Sequence, residues 1–203
     1  MGAAARRAGR DPGEVTLVAA TKTVDAERIA AALSAGVVDL GENRAQELLE
    51  KAPVLVEHTV VPCWHFLGAL QRNKVRSLAP WVDVWESVDR LSLGEELAKR
   101  APGARVLVEV NVGEEPQKAG CPPLETAALV EALRALGLAV EGLMTVPPHG
   151  DDPKWWFARL RVLSEAVEAP VLSMGMTDDF EAAIEEGATI VRVGRALFGP
   201  RPA

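Results

Sequence analysis

Tyrosine is absent from this 203-residue chain, and cysteine occurs only twice. Cys63 and Cys121 stand far apart and form no CxxC pair, so the spacing offers neither a disulfide framework nor a zinc motif, and no metal site is expected. A reducing compartment suits such a chain, and a cytoplasmic location is expected. No apolar run is long enough to cross a bilayer. The basic start, Met1 to Arg10, runs into Asp11-Pro12-Gly13 and not into an apolar stretch, so no signal peptide is expected. An excess of positive charge is also missing: 22 Lys plus Arg face 29 Asp plus Glu, a formal net charge of -7. That balance argues against nucleic-acid and anionic-membrane partners, and it confines any anion site to a local pocket.

What is present is apolar and regularly ordered. Hydrophobic residues make up 48% of the chain, enough for a sizeable core. Short β-rich runs alternate with helical patterns. The runs are Val15–Thr21, Val37–Leu40, Trp64–Leu67, Val82–Trp85, Arg105–Asn111, Val140–Val146, Pro170–Met174 and Thr189–Val193. Helices are expected between them, for example with Ile29, Ala32 and Leu33 on one face and Gly36 at the end, and from Leu91 to Leu97. Eight β units, each followed by a helix except the last, imply a parallel sheet closed into a (β/α)8 TIM-type barrel. No linker interrupts the pattern, so residues 1–203 read as a single domain. An open doubly wound sheet is the runner-up, and the lack of a GxGxxG after the first run counts against it. The one marked loop, Pro147 to Pro153, falls after the sixth run.

The active face of such a barrel lies at the C-terminal ends of its strands. Lys22 directly follows the first run, where partial desolvation would favour a free amine able to attack a carbonyl. Arg192 lies inside the eighth run, where a charge is costly unless paired. Gly194 ends that run and allows close backbone approach, and Arg195 opens the next turn, so their amides could face an anion. Ser173 and Gly175 close the seventh run, while Thr177 or Asp178 suits a helix N-cap. Loops after the seventh and eighth strands hold phosphate in many barrels. Asn43 ends the second run. His65, between Trp64 and Phe66, reads as a satisfied core residue, and Met144 as barrel filler. Asn111 and Lys118 read as parts of a solvated loop, Gln71, Asn73 and Lys74 as an exposed helix face, and Trp155 and Trp156 as helix packing with one ring exposed.

Six segments, in order, resemble the pyridoxal phosphate homeostasis protein family, which is related to the N-terminal barrel of alanine racemase. They are Val18–Thr23, Gly41–Asn43, Trp64–Lys74, Gly142–Met144, Leu172–Asp179 and Val191–Gly199. The resemblance implies a barrel of PLP fold type III, with pyridoxal 5'-phosphate (PLP) as cofactor in a Schiff base on Lys22. It implies that Ser173, Gly194 and Arg195 bind the phosphate, that Gly175 shapes their loop, and that Arg192 meets the pyridine nitrogen. Asn43 and Met144 complete the implied cofactor set. The implied role is vitamin B6 homeostasis without catalytic turnover, with PLP-dependent apoenzymes as partners and a monomeric state. An arginine donates only, so it requires an unprotonated pyridine nitrogen, which makes the ring a weak electron sink. The family carries a longer helix ahead of Gly9–Pro12, so the barrel is expected to be less covered there. Many relatives have threonine where this chain has Arg195.

Two other functions fit parts of the pattern. A PLP-dependent amino-acid racemase needs an acid–base group on each face of its substrate, and the second base in alanine racemases is a tyrosine, which this chain lacks. A Schiff-base aldolase on the same barrel would take a sugar phosphate in place of PLP.

Overall fold

Residues 1–150 and 152–199 are described by a computed structural model. Eight parallel strands close into one barrel in sequence order. They are β1 (Thr16–Ala20), β2 (Asp39–Glu42), β3 (Cys63–Phe66), β4 (Val84–Val88), β5 (Arg105–Glu109), β6 (Ala139–Met144), β7 (Val171–Ser173) and β8 (Ile190–Val193). Around them run α1 (Gly2–Arg7), α2 (Ala26–Ser34), α3 (Ala45–Leu55), α4 (Arg72–Leu78), α5 (Leu91–Arg100), α6 (Thr126–Ala135), α7 (Pro153–Ala166), α8 (Phe180–Glu185) and α9 (Arg195–Phe198). The closed, right-ordered barrel is the expected fold, and the open sheet is excluded.

The helices form for local reasons. Asp25 accepts a hydrogen bond from Arg28 N at the start of α2, and Ile29 and Leu33, four residues apart, form its buried stripe. Asp152 caps α7 through Lys154 N, with Pro153 in the first turn, where a missing N–H costs nothing. The marked loop before α7 includes Asp151, which lies outside the described residues. The caps expected at Thr177 and Asp178 are not made. Asp179 takes the N-cap position of α8, and its Oδ1 accepts from Met176 N, bracing the loop after β7.

Coverage at the N-terminal side differs from the expectation. The short α1 buries Ala4 and Ala5 completely, and Arg7 pairs with Glu181 and Glu185 of α8. Arg10 donates to the carbonyls of Ile184 and Ala188, so one turn and a half of helix closes this edge. Elsewhere, Trp155 is exposed and Trp156 half-buried, in an edge-to-face pair. Gln71, Asn73 and Lys74 are exposed as expected. Lys118 is more engaged than a solvated loop implies: it donates to Pro147 O and pairs with Glu115, tying the loops after β5 and β6 together.

Two cores result. The larger lies between strands and helices. The smaller fills the barrel with Val18, Leu67, Val84, Leu107, Met144 and Ile190. Alternation along a strand places every second residue on this inner face, and it also sends Glu86 and Arg192 inward, both almost fully buried.

Candidate cofactor site

Register brings the first site residues together. Ala20 of β1 pairs with Gly41 of β2, so Lys22 and Asn43, each two residues further on, emerge side by side at the C-terminal rim. They line a cleft of about 340 Å³ with Thr23, Arg44, Gly68 and Ala69. In a chain with a net charge of -7, this cleft carries two cationic side chains, Lys22 and Arg44. Thr23, next to Lys22, has φ +63°, an unfavourable left-handed backbone for a β-branched residue. Its N–H is held by Glu47 Oε2 at 2.8 Å. Strain of this kind persists only where surrounding contacts over-determine it.

Those contacts form a buried ionic cluster under the turn. Lys51 Nζ lies 2.6 Å from Glu42 Oε1 and 2.9 Å from Glu47 Oε2, and it donates to Thr21 O at 2.9 Å. Thr21 Oγ1 donates to Glu42 Oε1 at 2.8 Å. Burial raises the Glu42 carboxyl above its ordinary range, with Lys51 and Thr21 opposing. The cluster locks residues 21–23, and with them the root of Lys22.

A second polar chain runs through the barrel. Arg192 donates to Ser173 Oγ at 2.7 Å and to Thr145 O at 2.8 Å. Ser173 donates to Glu86 Oε2, whose other oxygen lies 2.6 Å from His65 Nδ1. His65 Nε2 faces Asp39 Oδ1 at 3.3 Å. Burial works against the charged imidazole, but hydrogen bonds to Asp39, Cys63 and Glu86 outweigh it and push His65 up to about 11. Burial lowers the Arg192 guanidinium from its ordinary value, opposed by Glu86, Glu109 and Asp179. Glu109 ends β5, and burial together with Asp89 pushes its carboxyl up to about 7 against the pull of Arg192.

The remaining expected residues fall into two groups. Ser173, Gly175, Arg192 and Met144 are buried at the floor. The Ser173 hydroxyl already serves Glu86 and Arg192, so its side chain holds Arg192 in place. Gly175, at φ +91°, accepts a hydrogen bond from Arg192 N, and a Cβ there would lie 2.5 Å from the Ala183 Cβ, so only glycine fits. Gly194 sits against the end of β1, where a Cβ would be 3.1 Å from Ala20 O. It therefore adjoins the strand that carries Lys22. Arg195 is exposed and ion-paired with Asp178, bridging the loops after β7 and β8. The sequence reading missed Glu42, Lys51, Glu86 and Glu109. The signal that marked Arg192, a charge inside an apolar strand, also stands at Glu42, Glu86 and Glu109.

Comparison with known proteins agrees with this architecture. The alanine racemase N-terminal domain family matches residues 3–202. A pyridoxal phosphate homeostasis protein of Pseudomonas aeruginosa is 43% identical over 98% of this chain and 90% of its own length. One from Aquifex aeolicus is also 43% identical, covering 98% and 92%. Among solved structures, PipY of Synechococcus elongatus with PLP bound superposes with a TM-score of 0.85 at 33% identity, covering 97% of that chain and 96% of this one. By sequence and fold together, the chain belongs to the pyridoxal phosphate homeostasis protein family, within the alanine racemase N-terminal domain family.

Proposed function

We propose that this chain binds PLP as a Schiff base on Lys22 and serves vitamin B6 homeostasis, holding the cofactor without catalytic turnover. The observation that carries the proposal is the placement of Lys22 on a locked turn in a cationic rim cleft, with a buried arginine in the barrel floor. The donor set fits the group: an amine for its aldehyde, a guanidinium for its pyridine nitrogen, and the Gly194–Arg195 turn for its phosphate, with Gly175 shaping the adjoining loop. Asn43, across from Lys22, borders the ring, and Met144 forms part of the apolar floor. Bound PLP in the related PipY supports the same reading.

Arg192 can only donate, so it favours a ring nitrogen without a proton and a cofactor of low electron demand. No tyrosine is available as a second base for racemisation. The further expectations of this reading are a monomer in the cytoplasm that hands PLP to PLP-dependent apoenzymes. Among the described residues no helix is long and apolar enough to cross a membrane.

The test is borohydride reduction of the PLP-saturated full chain, followed by intact mass and peptide mapping. One adduct on Lys22, absent in Lys22→Ala, is expected, and a sugar phosphate should leave no adduct. No adduct with PLP, or one mapping to another lysine, refutes the proposal. Deuterium uptake at Cα of D- and L-amino acids should not exceed that with free PLP.

A further inference from the structure

The opposite end of the barrel holds a second cluster, away from the cleft beside Lys22 and at the far end of the polar chain that starts at Arg192. Asp39 and Cys63 are the first residues of β2 and β3, and they are direct partners in the parallel ladder. His65 lies two residues beyond Cys63, on the same inner face of β3. The residue opposite His65 is Gly41, which has no side chain to separate the three. A carboxylate, a thiol and an imidazole thus converge at the N-terminal mouth, and their ligand atoms all lie within 4.8 Å of one another.

The spacing suits a tetrahedral ion. Bonds of about 2.0 Å to nitrogen and oxygen and about 2.3 Å to sulfur require an N···O edge of about 3.3 Å and an N···S edge of about 3.6 Å. The observed separations are 3.3 Å from His65 Nε2 to Asp39 Oδ1 and 3.7 Å from His65 Nε2 to Cys63 Sγ. The far side of the imidazole has the partner that metal-bound histidines use: Nδ1 lies 2.6 Å from Glu86 Oε1, so a proton there fixes Nε2 as the ligand. Asp39 is 25% exposed and Cys63 half-buried, which leaves water access for a fourth position.

We infer that Asp39, Cys63 and His65 form a site for a thiophilic divalent cation of the zinc class, with water as the fourth ligand. A mixed sulfur, nitrogen and oxygen set favours such an ion over magnesium or calcium. Ligation requires the Cys63 thiolate, so uptake releases protons. Sequence spacing conceals the site because Asp39 and Cys63 meet only through strand pairing.

The experiment is titration of the untagged full chain with Co²⁺, read by absorption, followed by displacement with Zn²⁺. One Co²⁺ per chain is expected, with a thiolate-to-cobalt charge-transfer band and tetrahedral d–d bands that Zn²⁺ abolishes. Cys63→Ala should lose the charge-transfer band while taking up PLP like the parent, which shows that it is folded. Loss of an outer partner costs about 10–100-fold in affinity, so Asp39→Asn, which loses a ligand, should weaken uptake by at least about tenfold. Cys121→Ser should bind like the parent. The inference is overturned if the folded parent takes up no Co²⁺, which leaves a hydrogen-bonded triad only. It is equally overturned if Cys63→Ala retains the band.

Discussion

Lys51→Met tests the claim that a buried ion cluster holds the turn carrying Lys22. Methionine keeps the length of the side chain and removes the ammonium. Glu42 is fully buried and Lys51 only 12% exposed, so this pair is far from a surface salt bridge. Breaking a buried pair by removing one partner costs about 3–5 kcal/mol, because the other charge is stranded. Thr21 Oγ1 still donates to Glu42, which points to the lower end, about 3 kcal/mol. In a domain of this size that is a fall in Tm of roughly 6–12 °C. Adding Glu42→Gln removes the stranded charge and should recover at least about half of the loss.

The pH dependence has a definite sign. Burial already raises the Glu42 carboxyl above its ordinary 4.5, and loss of Lys51 raises it further. A raised carboxyl pKa means that the folded state binds the extra proton, so its stability is present below 4.5 and is lost as pH rises through the folded value. Lys51→Met should therefore lie closer to the parent at about pH 5 than at about pH 7.5 in urea unfolding. A loss under about 1 kcal/mol, or a double variant no more stable than Lys51→Met, would refute the reasoning.

Three further outcomes follow from single positions. Glu109 is raised to about 7, so its contribution is present below the ordinary 4.5 and declines as pH rises through 7. Glu109→Gln should remove up to about 3 kcal/mol of that decline, and a parallel pair of stability–pH curves would contradict the assignment. Gly175→Ala must place a Cβ 2.5 Å from Ala183 in a left-handed backbone, which should cost roughly 2–4 kcal/mol in thermal or urea unfolding; an unchanged Tm counts against the packing described. Thr23→Gly relieves the φ of +63° and should leave stability within about 1 kcal/mol of the parent while slowing PLP uptake by loosening the turn at Lys22. Uptake at the parental rate would separate that strain from cofactor binding.

Much of the fold was legible because it rests on local signals. Apolar runs such as Val106-Leu-Val108 and the stripe of Ile29 and Leu33 identify strands and helices whatever their neighbours, although strand ends shifted by up to three residues, as at β4, which ends at Val88 and not at Trp85. Lys22 was legible because it directly follows such a run, Ser173, Arg192 and Gly194 because they lie at or near strand ends, and the resemblance supplied their roles. The partners of those residues were less accessible. Glu86 reaches Ser173 across 87 positions, and Lys51 reaches Thr21 across 30.

Composition and periodicity by themselves determined the eight-unit barrel, the absence of a tyrosine base and the lysine at a strand end, because these depend on residue type and short spacing alone. Only the packing of neighbouring strands and helices decided that the Ser173 hydroxyl serves Arg192, that Lys51 braces the Lys22 turn, and that Asp39 meets Cys63 and His65. Those contacts join residues distant in sequence, and their geometry exists only once strand register and helix packing bring the elements together.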